Sequence, residues 1–209
     1  MKKIFVFFIF MTLVIAPFSA QTPNEKATKK ATDWVTSLKI DDQEKENRLI
    51  KVISTHLTAV EEWHNSHSYT LVPEGINPKT GEKLTTLDRQ LIVDSTLPKS
   101  VHEALMLGLR MDLNEEQVEA VLDRYTIGKV DFTMKAYREI FPNMSEELES
   151  VILAHLKQAR EEAVDYKSMK EISAIFKIHK TQIELYLYQN GYNWKAIYKE
   201  YVDSLKKKK

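Results

Sequence analysis

The chain has 209 residues, with 30 basic and 30 acidic side chains, six histidines and no cysteine. The lack of cysteine excludes disulfides, thiolate catalysis and a lipid anchor on a lipobox cysteine. A charge this balanced counts against nucleic acid as a partner, because binding it needs a concentrated basic face.

Residues 1–20 have the pattern of a signal peptide. Lys2 and Lys3 form a short basic start, Ile4 to Ala16 is an almost unbroken apolar run, and Ser19 and Ala20 precede a polar stretch. The run is short for a bilayer span and ends in small residues, so it predicts export with cleavage rather than anchoring. Phe18 is a poor minus-three residue for a cut after Ala20 and leaves the exact position open. About 189 residues then remain, enough for one domain with a full core. Without Lys2 and Lys3, 28 basic side chains face 30 acidic ones, a net charge near −2. The basic tail Lys206–Lys209 reads as a solvated complement to a helix dipole.

Along residues 21–209, apolar residues recur with helical spacing. Ala27, Ala31, Trp34, Val35 and Leu38 share one face, and Leu49, Ile50, Ile53, Leu57, Val60 and Trp63 share another. Val101 to Met111 is apolar around most of its circumference and predicts a central helix. Further stripes run through Val118–Tyr125, Leu148–Tyr166 and Trp194–Leu205. Asn114 with Gln117 fits a capping box, and Ser145 precedes an acidic first turn. Gly128 and Gly191 stand where helices should stop. The expectation is an all-α, single-domain helical bundle of about seven or eight helices. One stretch breaks the rhythm: residues 68–85 hold Pro73, Gly75, Pro78 and Gly81, which predicts a long irregular loop. Such loops in compact domains are often functional.

His64 and His67 stand three residues apart in EEWHNSH, just before that loop. The spacing puts both imidazoles on one helix face, which suits a metal, but two ligands do not make a site, so no metal ligand is assigned. A structural role, histidines satisfying backbone groups at a helix end, competes with it. As a binding surface the same region offers Trp63 and Tyr69 as flat apolar faces. His64, Asn65, His67 and nearby Arg89 add directional hydrogen bonds, the mixture a sugar ring needs. For Trp63 itself a place in the core is the simpler reading.

Other constellations are weaker. Ser100, His102 and Asp88 lack a nucleophile elbow or an oxyanion loop, and helix capping by Ser100 is the simpler role. His155 and His179 read as core histidines, and the Glu146–Glu147 and Glu161–Glu162 pairs as solvated helix faces. Asp112, Asn114, Glu116 and Asp123 imitate calcium-loop spacing, but Gln117 stands where the turn needs glycine.

The segments EEWHNSH, VPEGINPKTGEKL, LDRQLIVDSTLPKSVHEAL, LNEEQVEAVLDRYTIGKV and FTMKAYREIFPNMSEELESVILAHLKQAREEAVDYKSMKEISAIF carry a resemblance. The sequence resembles an exported helical family of Bacteroidetes classed as a domain of unknown function (number thirty-eight twenty-six). The resemblance implies an all-helical periplasmic or outer-membrane-associated protein encoded near polysaccharide-utilisation machinery. It brings no catalytic residues with it. LNEEQ and MSEEL also echo, more faintly, a signature of periplasmic helical chaperones.

The function expected from these features is a non-catalytic accessory or binding protein, periplasmic or secreted, acting in carbohydrate utilisation without a cofactor. Its ligand residues would be Trp63, His64, His67, Tyr69, Arg89 and His102, and its partners a glycan or glycan-uptake proteins of the outer membrane or periplasm. No membrane span is expected after cleavage. The alternatives are a periplasmic glycan-acting enzyme, metal-assisted through His64 and His67, and a chaperone-like interaction protein with an aromatic patch at Tyr186, Tyr188 and Tyr192.

Overall fold

The computed structural model describes residues 22–78 and 80–207. The signal-peptide segment and the last two lysines of the basic tail lie outside them. The described residues form nine α-helices, one or two more than the stripes alone had separated: α1 (Glu25–Thr36), α2 (Gln43–Ser66), α3 (Thr86–Asp94), α4 (Lys99–Asp112), α5 (Glu115–Thr126), α6 (Lys129–Ile140), α7 (Glu146–Ala163), α8 (Met169–Gln189) and α9 (Trp194–Lys207). No helix among them is long and apolar enough to cross a membrane.

Local chemistry sets the helix starts. Asn24, Asp42 and Ser145 cap α1, α2 and α7 through side-chain oxygens that accept first-turn N–H groups. Thr85–Asp88, Asn114–Gln117 and Ser168–Glu171 form full capping boxes at α3, α5 and α8. Ser100 does not cap α4: that helix begins at Lys99 behind Pro98 with no side-chain cap, and Ser100 sits inside its first turn. Proline suits this place because the first N–H groups of a helix lack partners anyway.

Between α2 and α3 the chain makes a single 3-10 turn at Tyr69–Leu71 and then a small antiparallel bridge, Ile76 to Lys83, closed by Gly81 at positive φ. The stretch is irregular, as its prolines and glycines require. Arg89 on α3 ties it down by donating from Nε to the Val72 carbonyl at 2.8 Å.

The apolar side chains collect into two clusters. One joins Ala31, Val35, Leu49, Ile53, Leu105, Leu109 and Val121 from α1, α2, α4 and α5. The other joins Val130, Met134, Ile152, Leu156, Phe176, Ile183 and Leu187 from α6, α7 and α8, with Trp194 and Ile197 of α9 laid against it. Fully burying each large aliphatic side chain contributes about 1.5–3 kcal/mol, so each cluster can hold its own helices together.

α4 departs from expectation. Val101, Leu105, Met106 and Leu109 are buried, but Leu107 and Met111 are each 69% exposed. Only one face of the helix meets neighbours, and the closest, α2, packs so tightly that a Cβ on Gly108 would lie 2.6 Å from Val52 Cγ2. α4 is therefore a flanking helix, its apolar content notwithstanding.

Candidate functional site

The seam between the two apolar clusters is polar. Along α2, Leu49, Ile53, His56, Val60 and His64 follow one another at helical spacing, so one inward stripe changes from aliphatic to imidazole as it reaches the seam. On α8, Glu171 stands four residues before Ile175 on the buried stripe of that helix. On α4, His102 precedes the buried Leu105 and Met106. Helical geometry thus carries charged groups inward on stripes that are otherwise apolar.

Two histidine–carboxylate clusters result. In the first, His64 Nδ1 lies 2.8 Å from Asp94 Oδ2 and 3.3 Å from Glu171 Oε1. Both carboxylates are almost fully enclosed, Asp94 at 3% exposure and Glu171 at 2%. Each has its second oxygen held from outside: Gln90 Nε2 donates to Asp94 Oδ1 at 2.9 Å, and the Ser168 N–H donates to Glu171 Oε2 at 2.8 Å.

In the second, Asp165, just past the end of α7, receives His56 Nε2 on one oxygen and His102 Nδ1 on the other, both at 2.9 Å. Burial pushes the Asp165 carboxyl up, but the hydrogen bonds from His102 and His56 outweigh it and hold the group below its ordinary 3.8. An ionised Asp165 only accepts, so both imidazole nitrogens facing it donate. The bond to Asp165 in turn raises His102 above its ordinary 6.5, against the opposing effect of burial. With Nδ1 committed, Nε2 is the atom of His102 through which a proton can be exchanged; it lies 3.7 Å from Glu161 Oε1.

Tyr166 sits between the clusters. Burial, and then the charges of Asp165, Asp94, Glu162 and Glu171, push its phenol up to about 12, so it stays a protonated donor at neutral pH.

Above this seam opens a cleft of about 690 Å³, bounded by the α3–α4 connection, α4, α5 and α7. Asp94, His102, Asp165 and Tyr166 reach its wall, Met106, Val118 and Leu122 give it an apolar floor, and Glu119, Lys157, Arg160 and Glu161 line its rim. Arg160 is itself buried and held by Asp123 at 3.0 Å. A smaller groove of about 530 Å³ lies by the α8–α9 connection, lined by Tyr188, Tyr192 and Trp194.

The residues singled out in the sequence part company here. Trp63 stacks on His67 with ring centroids 3.8 Å apart, and His67 Nδ1 bonds the Trp63 carbonyl at 2.9 Å, so this histidine satisfies a helix-end backbone group. The Arg89 guanidinium covers the Tyr69 ring at 5.2 Å. Each of the two rings proposed for stacking a sugar therefore has a neighbour in the chain packed against one face, and Tyr69 stays 36% exposed. His64 turns away from His67 toward Asp94 and Glu171, and the two histidines do not converge on one point. Of the six residues, only His102 lines the cleft. Tyr186 and Tyr192 are half-buried against the core, leaving Tyr188, 78% exposed, alone on the surface.

Residues 24–207 match the family described as protein of unknown function (DUF3826). The chain belongs to this family. The match begins at the cap of α1 and ends with α9, so both clusters and the cleft lie within the segment that defines the family. No curated protein matches this family member.

Sequence reading missed Asp94, Asp165, Glu171 and Tyr166. Glu171 did carry a signal, a carboxylate on the apolar stripe of α8. Asp94 and Asp165 stand at helix ends, where an acidic residue has no periodicity to violate.

Proposed function

We propose that the protein is an exported binding protein of the periplasm that takes a short, hydroxyl-rich glycan in the cleft above the polar seam. The cleft itself carries the reading: its volume of about 690 Å³ falls within the range of small-molecule sites, about 300–1,000 Å³. Its apolar floor offers a surface to the ring faces of a sugar. Around it, Lys157, Arg160 and Tyr166 can donate while Glu119 and Glu161 can accept, so a ligand carrying many hydroxyls finds both kinds of partner. The signal-like start of the chain and its resemblance to a family encoded near polysaccharide-utilisation machinery support the same reading. The Trp63–Tyr69 surface plays no part in it, because neither residue lines the cleft.

The test is thermal unfolding of the purified protein against a panel of plant-wall and host oligosaccharides. Ligand at a hundred times its dissociation constant adds about 2.7 kcal/mol, a rise of roughly 5–10 °C for a domain of this size. The rise should vanish in Glu161→Ala and His102→Ala and persist in Tyr69→Ala. A rise lost only in Tyr69→Ala would return the site to the loop, and no rise with any glycan would remove the glycan reading.

One observation favours an enzyme as a second reading. Asp165 fixes His102 through Nδ1, which leaves Nε2, facing Glu161 at 3.7 Å, as the imidazole atom that can exchange a proton on the cleft, an arrangement suited to acid–base chemistry. Product analysis after incubation with the same panel decides it: cleavage that His102→Gln abolishes would make the protein an enzyme.

A further inference from the structure

We propose that His64, Asp94 and Glu171 form a binding site for a single divalent transition-metal ion of the zinc or manganese type. One imidazole nitrogen and two carboxylate oxygens lie within 4.8 Å of one another, the donor mixture such ions accept. The spacing is close to what an ion needs. Ligand atoms bound at about 2.1 Å in a tetrahedral site stand roughly 3.4 Å apart. His64 Nδ1 and Glu171 Oε1 are 3.3 Å apart, and His64 Nδ1 and Asp94 Oδ2 would open by about half an ångström from 2.8 Å to admit the ion.

The surroundings carry the argument further than the distances. Gln90 holds the outer oxygen of Asp94 and the Ser168 backbone holds that of Glu171, which leaves each carboxylate with one oxygen aimed at the shared point. Metal sites use such outer partners to orient their ligands. Charge points the same way. Two enclosed carboxylates face one imidazole, and among the described residues neither forms an ion pair with lysine or arginine. Even a protonated His64 leaves the cluster one negative charge in excess, whereas a dication bound by a neutral imidazole balances it. Buried charge left uncompensated is costly, and an ion removes that cost. The His64 side chain is 24% exposed and Asp94 reaches the cleft wall, so an ion has a way in from solvent.

This site does not depend on the glycan reading, and it is tested with metal alone. Purified protein stripped with a chelator is titrated with zinc and with manganese chloride in a calorimeter. The expected result is one equivalent bound, with affinity lowered at least tenfold in Asp94→Asn, His64→Gln and Glu171→Gln and unchanged in His67→Gln. Glu171→Gln keeps a side-chain oxygen for the Ser168 N–H, so helicity should be retained. Should Asp94→Asn not fold, His64→Gln, on a partly exposed side chain, gives the same decision. Absence of stoichiometric binding by the unaltered protein, or binding that His64→Gln and Glu171→Gln leave intact, overturns the proposal.

Discussion

The two histidine–carboxylate clusters share one seam but are built with opposite stoichiometry. Around Asp165 two imidazoles serve one carboxylate, and every hydrogen bond the carboxylate needs from its own cluster is made within the chain. Around His64 two carboxylates share one imidazole, and negative charge is left over. The first cluster is complete as folded and ties α2 and α4 to the end of α7. The second ties α2 to α3 and α8, but only after a cation joins is its charge balanced. Similar residues thus serve cohesion in one place and capture in the other.

Breaking the complete cluster should have the largest effect. Asp165→Asn replaces an acceptor that two imidazoles share with an amide that also donates, and should cost about 2–4 kcal/mol. Chemical denaturation would show this as a lower midpoint at unchanged slope.

A less direct disturbance parts α2 from α4, the helices that bring His56 and His102 to Asp165. Gly108→Ala drives a methyl against Val52, a branched side chain with little rotamer freedom in a helix. The clash should outweigh the gain of about 1 kcal/mol in helix propensity and leave a net loss of about 1–2 kcal/mol. Val52→Ala in the same chain should restore part of it, as a coupled pair requires.

Acidity should sharpen the contrast further. The folded His102 titrates above its ordinary 6.5, so its contribution is complete below that value and is lost as pH rises through the raised one. Asp165, held below 3.8, contributes fully above 3.8 and loses its part as pH falls through the lowered value. The cluster is thus at full strength between about 3.8 and 6.5. Unfolding at a series of pH values should show a weaker fold on the alkaline side, and that alkaline loss should be flattened in Asp165→Asn.

The smallest change is expected at the incomplete cluster. In chelator-treated protein, Glu171→Gln removes surplus negative charge while the Ser168 cap survives, so stability should shift by less than about 1 kcal/mol in either direction. A loss as large as that of Asp165→Asn would mean the two clusters do the same work and would erase the distinction between them.

The sequence by itself determined the helices. Apolar residues at spacings of three and four, capping oxygens at Asn114 and Ser145, and stop glycines at 128 and 191 are local instructions, and a helix obeys local hydrogen bonding. It also placed an irregular segment at 68–85. It misjudged α4, because an apolar circumference says nothing about how many neighbours arrive to cover it. The cleft was legible only at His102, and the other cluster only at His64. His64 and His67 look paired along the chain, yet one turns inward to Asp94 and Glu171 while the other stacks on Trp63. Which carboxylate meets which imidazole was decided by tertiary structure alone: Asp165 lies 109 positions from His56 and Asp94 lies 30 from His64. Pairs so far apart in the chain meet only because two apolar clusters close against each other and leave their polar residues no other place to go.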